Sequence, residues 1–146
     1  TNLVLPDQTE AGEDVTAIGN GTYGVGTFGY TTADGTVYAP DSVKLPAKLE
    51  SIGNFAFSAV VDTKTSEVKH GVKAVEFPET LKTIGNTAFQ NAPLTEVSIP
   101  DSVTSVGSGA FTNTEQATTH IEKVKLSKGM TTIPNSMFTN QKIKNV

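Results

Sequence analysis

The chain has no cysteine, no arginine and no long apolar run, and each absence closes off a class of explanation. Without cysteine there is no disulfide framework and no thiolate to serve as nucleophile or zinc ligand, and the redox compartment cannot be read. Without arginine the planar fork that dominates guanine and phosphate recognition is missing, and no lysine cluster or basic helix replaces it. Nucleic acid is therefore not an expected partner. No stretch approaches the roughly 18 to 20 apolar residues of a membrane helix, so membrane insertion is not expected. The start, TNLVLPDQ, lacks the basic and apolar regions of a secretion signal, so in an exported protein this chain would be a mature segment. Charged residues make up 18%, below the usual quarter or so, while 36% hydrophobic residues in 146 suffice for one folded domain. Charge is unevenly divided: residues 1–62 carry eight acids against Lys44 and Lys48, whereas residues 63–146 carry nine lysines against seven acids.

What the chain does have is an internal repeat. Aligned on a proline, VKLPAKLESIGNFAF (43–57), VEFPETLKTIGNTAF (75–89), VSIPDSVTSVGSGAF (97–111) and VKLSKGMTTIPNSMF (124–138) match without a gap. The proline position (Pro46, Pro78, Pro100, with Ser127 standing in) is always eleven residues before the phenylalanine (Phe57, Phe89, Phe111, Phe138). The interval from that phenylalanine to the next valine varies, at 18, 8, 13 and 8 residues. A fixed unit whose length varies at one place only predicts a rigid rung with loops growing on one side. A degraded copy opens the chain, with LVLP (3–6) and VTAIGNGTY (15–23), and IKNV (143–146) begins a sixth, so the natural chain is expected to continue.

Each position of the unit has a physical reading. VKAVEF, LTEVSI and IEKVKL alternate apolar and polar residues as half-buried strands do. Proline ends the strand, because it donates no hydrogen bond and holds the preceding residue extended. Leu81 and Ile84, or Val103 and Val106, reach inward again; Gly85 or Gly107 then allows a bend. Alanine permits close approach, and the phenylalanines should stack as a column Tyr23, Phe57, Phe89, Phe111, Phe138. One rung alone cannot offset its conformational entropy, so several must stack. The single domain 1–146 is expected to hold rungs at about 3–23, 43–59, 72–92, 94–114 and 121–140, with insert hairpins at 24–39 and 60–70.

These residues resemble the BspA-like, or Treponema-type, leucine-rich repeat, whose unit runs L-x-x-[IV]-x-[IL]-P-x-x-[VL]-x-x-I-G-x-x-A-F-x-x-C. The likeness covers 43–146 well and 1–23 loosely. The family's cysteine is absent, its slots being Ala92, Thr114 and Gln141. The fold expected is a right-handed leucine-rich-repeat solenoid, mostly β, with about five rungs. It would have a parallel strand face, turns or single helical turns on the return side, and hairpin insertions. The resemblance implies a bacterial surface or secreted location and adhesion to extracellular protein or glycan partners, without catalysis. The alternative is a structural spacer holding another domain off the cell wall, which the full gene product would reveal.

Candidate chemistry is sparse. His70 and His120 each precede a strand and share no ligand or catalytic motif, so no catalytic residue, metal or cofactor is expected. GNGTYGVGTFG (19–29) lacks the Lys-Ser/Thr of a phosphate loop. The acids Asp7, Glu10, Glu13 and Asp14 lack the rhythm of a calcium loop. FGYTTADGTVY (28–38), turning at Asp34-Gly35, reads as a hairpin carrying Tyr30 and Tyr38, either outward as partner anchors or down onto the rungs as a cap. VVDTKTSEV (60–68) reads as a second hairpin around Lys64. The strand face offers Lys44, Glu76, Glu96, Ser98, Lys123 and Lys125 for partner binding; it has no aromatic residue, so binding there should be weak and multivalent. The open C-terminal edge at Val146 offers weak self-association.

Overall fold

A proline withholds its backbone N–H, so any ladder that reaches it stops there. The computed structural model describes residues 2–61, 68–115 and 117–146, and its strands are correspondingly short. They are β1 Asn2–Val4, β2 Ala17–Ile18, β3 Tyr30–Thr31, β4 Val37–Tyr38, β5 Ser42–Lys44, β6 Ser51–Ile52, β7 Val60–Val61, β8 Val68–His70, β9 Thr83–Ile84, β10 Glu96–Ser98, β11 Ser105–Val106 and β12 Lys123–Lys125. None of the described residues is helical. Equivalent strands of successive rungs pair in parallel, while β3 with β4 and β7 with β8 form antiparallel hairpins. The tip of the second hairpin, around Lys64, lies outside the described residues.

The longest ladder is not the one the alternation suggests. Its order is β2, β6, β9, β11, built from the two residues before the repeat's glycine, with Ile18, Ile52, Ile84 and Val106 in register and buried. The face before the prolines is divided into β1 with β5 and β10 with β12, the latter extended by a bridge from Lys123 to Asn145. A strand was expected in VKAVEF (72–77), but after Lys73 N–H donates to Asp41 O (2.9 Å) this segment joins neither neighbour's ladder. Phe77 gives the reason. It fills the slot held by Leu45, Ile99 and Leu126 in other rungs, and its larger ring stands edge-on to Phe89, with centroids 5.6 Å apart. Val75, Phe77 and Pro78 are half-buried where Val97, Ile99 and Pro100 are buried; Val43 and Leu126, in rungs that do ladder, are half-buried as well.

The core is a column of rings. Phe57, Phe89, Phe111 and Phe138 stack with centroids 5.2, 5.4 and 5.7 Å apart and planes within 20°. The backbone supports each step: Phe57 N–H donates to Ala88 O, Phe89 N–H to Ala110 O and Phe111 N–H to Met137 O, at 2.7 to 2.9 Å. The first member is Phe28, 5.8 Å from Phe57, and not Tyr23. Here the chain makes a detour closed by a bridge between Thr22 and Gly26. Thr27 N–H, rather than that of Tyr23, then makes the equivalent bond, to Ala56 O at 2.8 Å. Tyr23 is left 58% exposed, edge-on to Phe55.

The glycine after the isoleucine serves contact rather than conformation, since Gly53, Gly85 and Gly107 do not have positive φ. Each faces an asparagine of the preceding rung. Asn20 Oδ1 accepts from Asn54 N–H (2.8 Å), Asn54 Oδ1 from Asn86 N–H (2.8 Å), and Asn86 Oδ1 from Ser108 N–H (2.9 Å). This amide ladder runs along the exposed edge of the stack and gives the turn N–H groups a protein partner in place of water.

The left-handed bend falls two residues later, at Phe55 (φ 55°), Thr87 (φ 51°), Gly109 (φ 64°) and Ser136 (φ 58°). Only one of these is glycine, and a β-branched residue in this region is strained. Thr87 also leaves its hydroxyl buried without a partner. Thr87→Gly is therefore expected to raise the unfolding free energy by about 1 kcal/mol, relief of strain and of the orphan hydroxyl outweighing glycine's entropy. Urea denaturation against wild type measures it; destabilisation would refute the strain argument.

Candidate partner-binding surface

Two hairpins leave the stack before rungs two and three, and they meet. β3 and β4 pair with Tyr30 opposite Tyr38, and their rings stack at 5.3 Å and 17°. Tyr38 in turn lies 4.7 Å from the ring of His70, the last residue of β8. Three rings from two insertions thus form one pile. Tyr38 is half-buried inside it, while Tyr30 closes it with 52% of its surface exposed. Tyr38 thus packs against His70 of the second hairpin and not onto a rung's ring column, while Tyr30 lies outermost in the pile.

Strand alternation carries this face on toward the hairpin tip through Thr32 and Thr36. Thr32 N–H donates to Thr36 O (2.9 Å), and Asp34 accepts from the Thr32 hydroxyl and from Thr36 N–H (3.0 Å). These donors favour the charged carboxylate and hold its pKa below the ordinary aspartate value, the Thr32 hydroxyl contributing most. A flat ring and a fixed polar rim therefore occupy one hairpin face.

The strand-face residues lie beside the unladdered rung-three segment. Glu76, Glu96, Ser98, Lys123 and Lys125 line a groove of about 610 Å³ on its later side, together with Glu79 and Asp101. Lys44 and Glu76 line a second groove, of about 550 Å³, on its earlier side. Glu76 belongs to both, and Phe77 places a half-buried aromatic ring where the alternation suggested none. Tyr30 and Tyr38 line neither groove, so the proposed contact residues fall into two groups.

The acidic N-terminal loop is engaged with rung two. Asp7 accepts from Ala47 N–H (2.9 Å), and Asp14 pairs with Lys48 (2.9 Å) and accepts from Gln8 (3.2 Å). Among the described residues no group of three or more His, Asp or Glu is gathered to hold a metal. The Lys48 hydrogen bond, then that of Gln8, holds the Asp14 carboxyl below its ordinary value. With the folded pKa depressed, the stabilisation is present above the unfolded value of about 3.8 and is lost as pH falls through the folded one. Carboxyl ¹³C NMR should show Asp14 titrating below an ordinary aspartate and returning toward it in Lys48→Met. An unchanged midpoint would contradict the pairing. His120 is held below its ordinary value by burial and by Lys142.

Sequence reading missed His70 as a ring partner, having placed it before a strand with no motif; only its two-hairpin setting reveals the role. It also missed the amide ladder, although the recurring Ile-Gly-Asn was its visible signal. Gln141, in the slot of the missing cysteine, donates to Phe111 O (2.8 Å) and accepts from Ile121 N–H (2.7 Å), linking rungs four and five.

Compared with known proteins, residues 38–146 match the family described as BspA type leucine rich repeat region, in six copies. No curated protein matches the chain. Among solved structures it is similar to a leucine-rich repeat protein from Bacteroides ovatus ATCC 8483, with 21% identity and a TM-score of 0.59. The alignment covers 98% of this chain and 38% of that one, so the chain spans well under half the length of that protein.

Proposed function

Since the chain belongs to the BspA-type leucine-rich repeat family, we propose that it is a non-catalytic binding module of a bacterial surface or secreted protein. It recognises extracellular protein or glycan partners through the Tyr30/Tyr38 hairpin, with the grooved strand face as a second, weaker contact. The observation that carries this reading is the exposed Tyr30 ring, held rigid by Tyr38 and His70 behind it. An aromatic side chain fixed before binding loses little entropy on contact, which is what makes tyrosine an effective anchor. A spacer would have no use for a ring so placed. On the strand face, Lys123 and Lys125 stand across the groove from Glu76 and Glu79, a mixed-charge surface that suits weak, repeated contacts.

The expected result is that immobilised wild-type chain captures a ligand from a panel of extracellular matrix proteins and bacterial-surface glycans, and that Tyr30→Ala with Tyr38→Ala loses it. A variant reversing Lys123 and Lys125 to Glu should weaken capture less. Capture that is indifferent to both tyrosines, or no capture at all, would overturn the proposal.

A further inference from the structure

We infer that the ligand of the Tyr30 face is a neutral, β-linked pyranose. This rests on reading the hairpin as a binding site and goes further by naming what sits on it. A pyranose with equatorial substituents has a flat face of axial C–H groups and a rim of hydroxyls, so it needs one aromatic face beside hydrogen-bonding groups. The hairpin supplies that pairing: the Tyr30 ring on a stacked pile, and toward the tip the Thr32 hydroxyl and the Asp34 carboxylate it donates to, with Thr36 N–H on the same carboxylate.

A protein partner is the poorer fit. Protein interfaces are centred on several contiguous large side chains that become fully desolvated. Among the described residues the exposed large apolar ones, Val4, Tyr23, Tyr30, Ile133 and Val146, are distributed from the first rung to the C-terminal edge. Neutrality follows from charge. Asp34 is the one charged residue of 28–38, and its carboxylate, holding the Thr32 hydroxyl and Thr36 N–H, repels sulfated or uronic-acid chains at the tip.

The test is a ¹⁵N NMR titration of the chain with methyl β-D-glucopyranoside, methyl N-acetyl-β-D-glucosaminide and a sulfated heparin disaccharide. Saturable shifts are expected at amides of 30–38 with one of the neutral glycosides and not with the sulfated sugar. Tyr30→Phe should retain them, because the ring face and not the hydroxyl is used. Tyr30→Ala should weaken binding about 3- to 10-fold, the size of an aromatic stacking contribution, with the rest of the spectrum unchanged. Preference for the sulfated sugar, shifts confined to the grooves, or indifference to Tyr30→Ala would overturn the inference. If no sugar binds but a protein ligand is captured through Tyr30, the inference fails and the binding-module reading stands. If neither binds, both fail.

Discussion

Gly85→Ala is expected to cost about 3 kcal/mol of stability, whereas Gly19→Ala, the same change at the same place in rung one, should alter it by less than about 0.5 kcal/mol. A Cβ on Gly85 would lie 2.6 Å from Asn54 N, 2.6 Å from Gly53 C and 2.7 Å from Asn54 Oδ1. Two of these are backbone atoms and the third is the ladder acceptor, so no side chain can swing aside. Gly107 is tighter still, at 2.3 Å from Asn86 N. A Cβ on Gly19 meets nothing within 4 Å. None of the three has positive φ, so a purely conformational role would give all three similar, small costs. Equal effects at Gly19 and Gly85 in urea denaturation would refute the contact explanation.

Phe89→Ala should be the most damaging substitution in the column, costing about 3 to 5 kcal/mol. Its ring is 1% exposed and touches Phe57, Phe111 and Phe77, with centroids at 5.2, 5.4 and 5.6 Å. Phe138 is half-buried with one ring neighbour at 5.7 Å, and Phe138→Ala should cost about 1 to 2 kcal/mol. Because stability in a stack is carried by neighbouring units, a hole in the middle should also uncouple the two ends and lower the denaturant slope. A Phe89→Ala variant that unfolds as sharply as wild type would show that the column is not the main coupling between rungs.

The eleven-residue interval from proline to phenylalanine made the ring column legible in the sequence, because a constant spacing in a variable chain marks atoms that must superpose. It failed at rung one for a local reason. The glycines of 19–29 build a detour, so Phe28 and not Tyr23 reaches the column, and no spacing rule applies to a copy interrupted inside its unit. Rung three misled in another way. VKAVEF alternates as well as LTEVSI does, but alternation is blind to the volume of Phe77, and volume determines whether the segment lies flat enough to ladder. Asp34-Gly35 signalled the first hairpin. That His70 of the second would lie behind Tyr38 depends on two loops being brought side by side by the stack, which no local pattern records. The amide ladder was legible in principle, since asparagine recurs after the glycine in rungs one to three, but only if the glycine is read as space for a neighbour's side chain rather than as a bend.

The ladder also has a direction. Asn20, Asn54 and Asn86 each present an acceptor to the rung that follows in sequence, while the phenylalanine N–H groups present donors to that same rung. The later side of each of rungs one to three is thus a surface arrayed with acceptors and donors for the next coil. Templating is the consequence: once enough rungs have stacked to hold together, each further coil has a prepared surface to order upon, and its partners are its immediate neighbours in the chain.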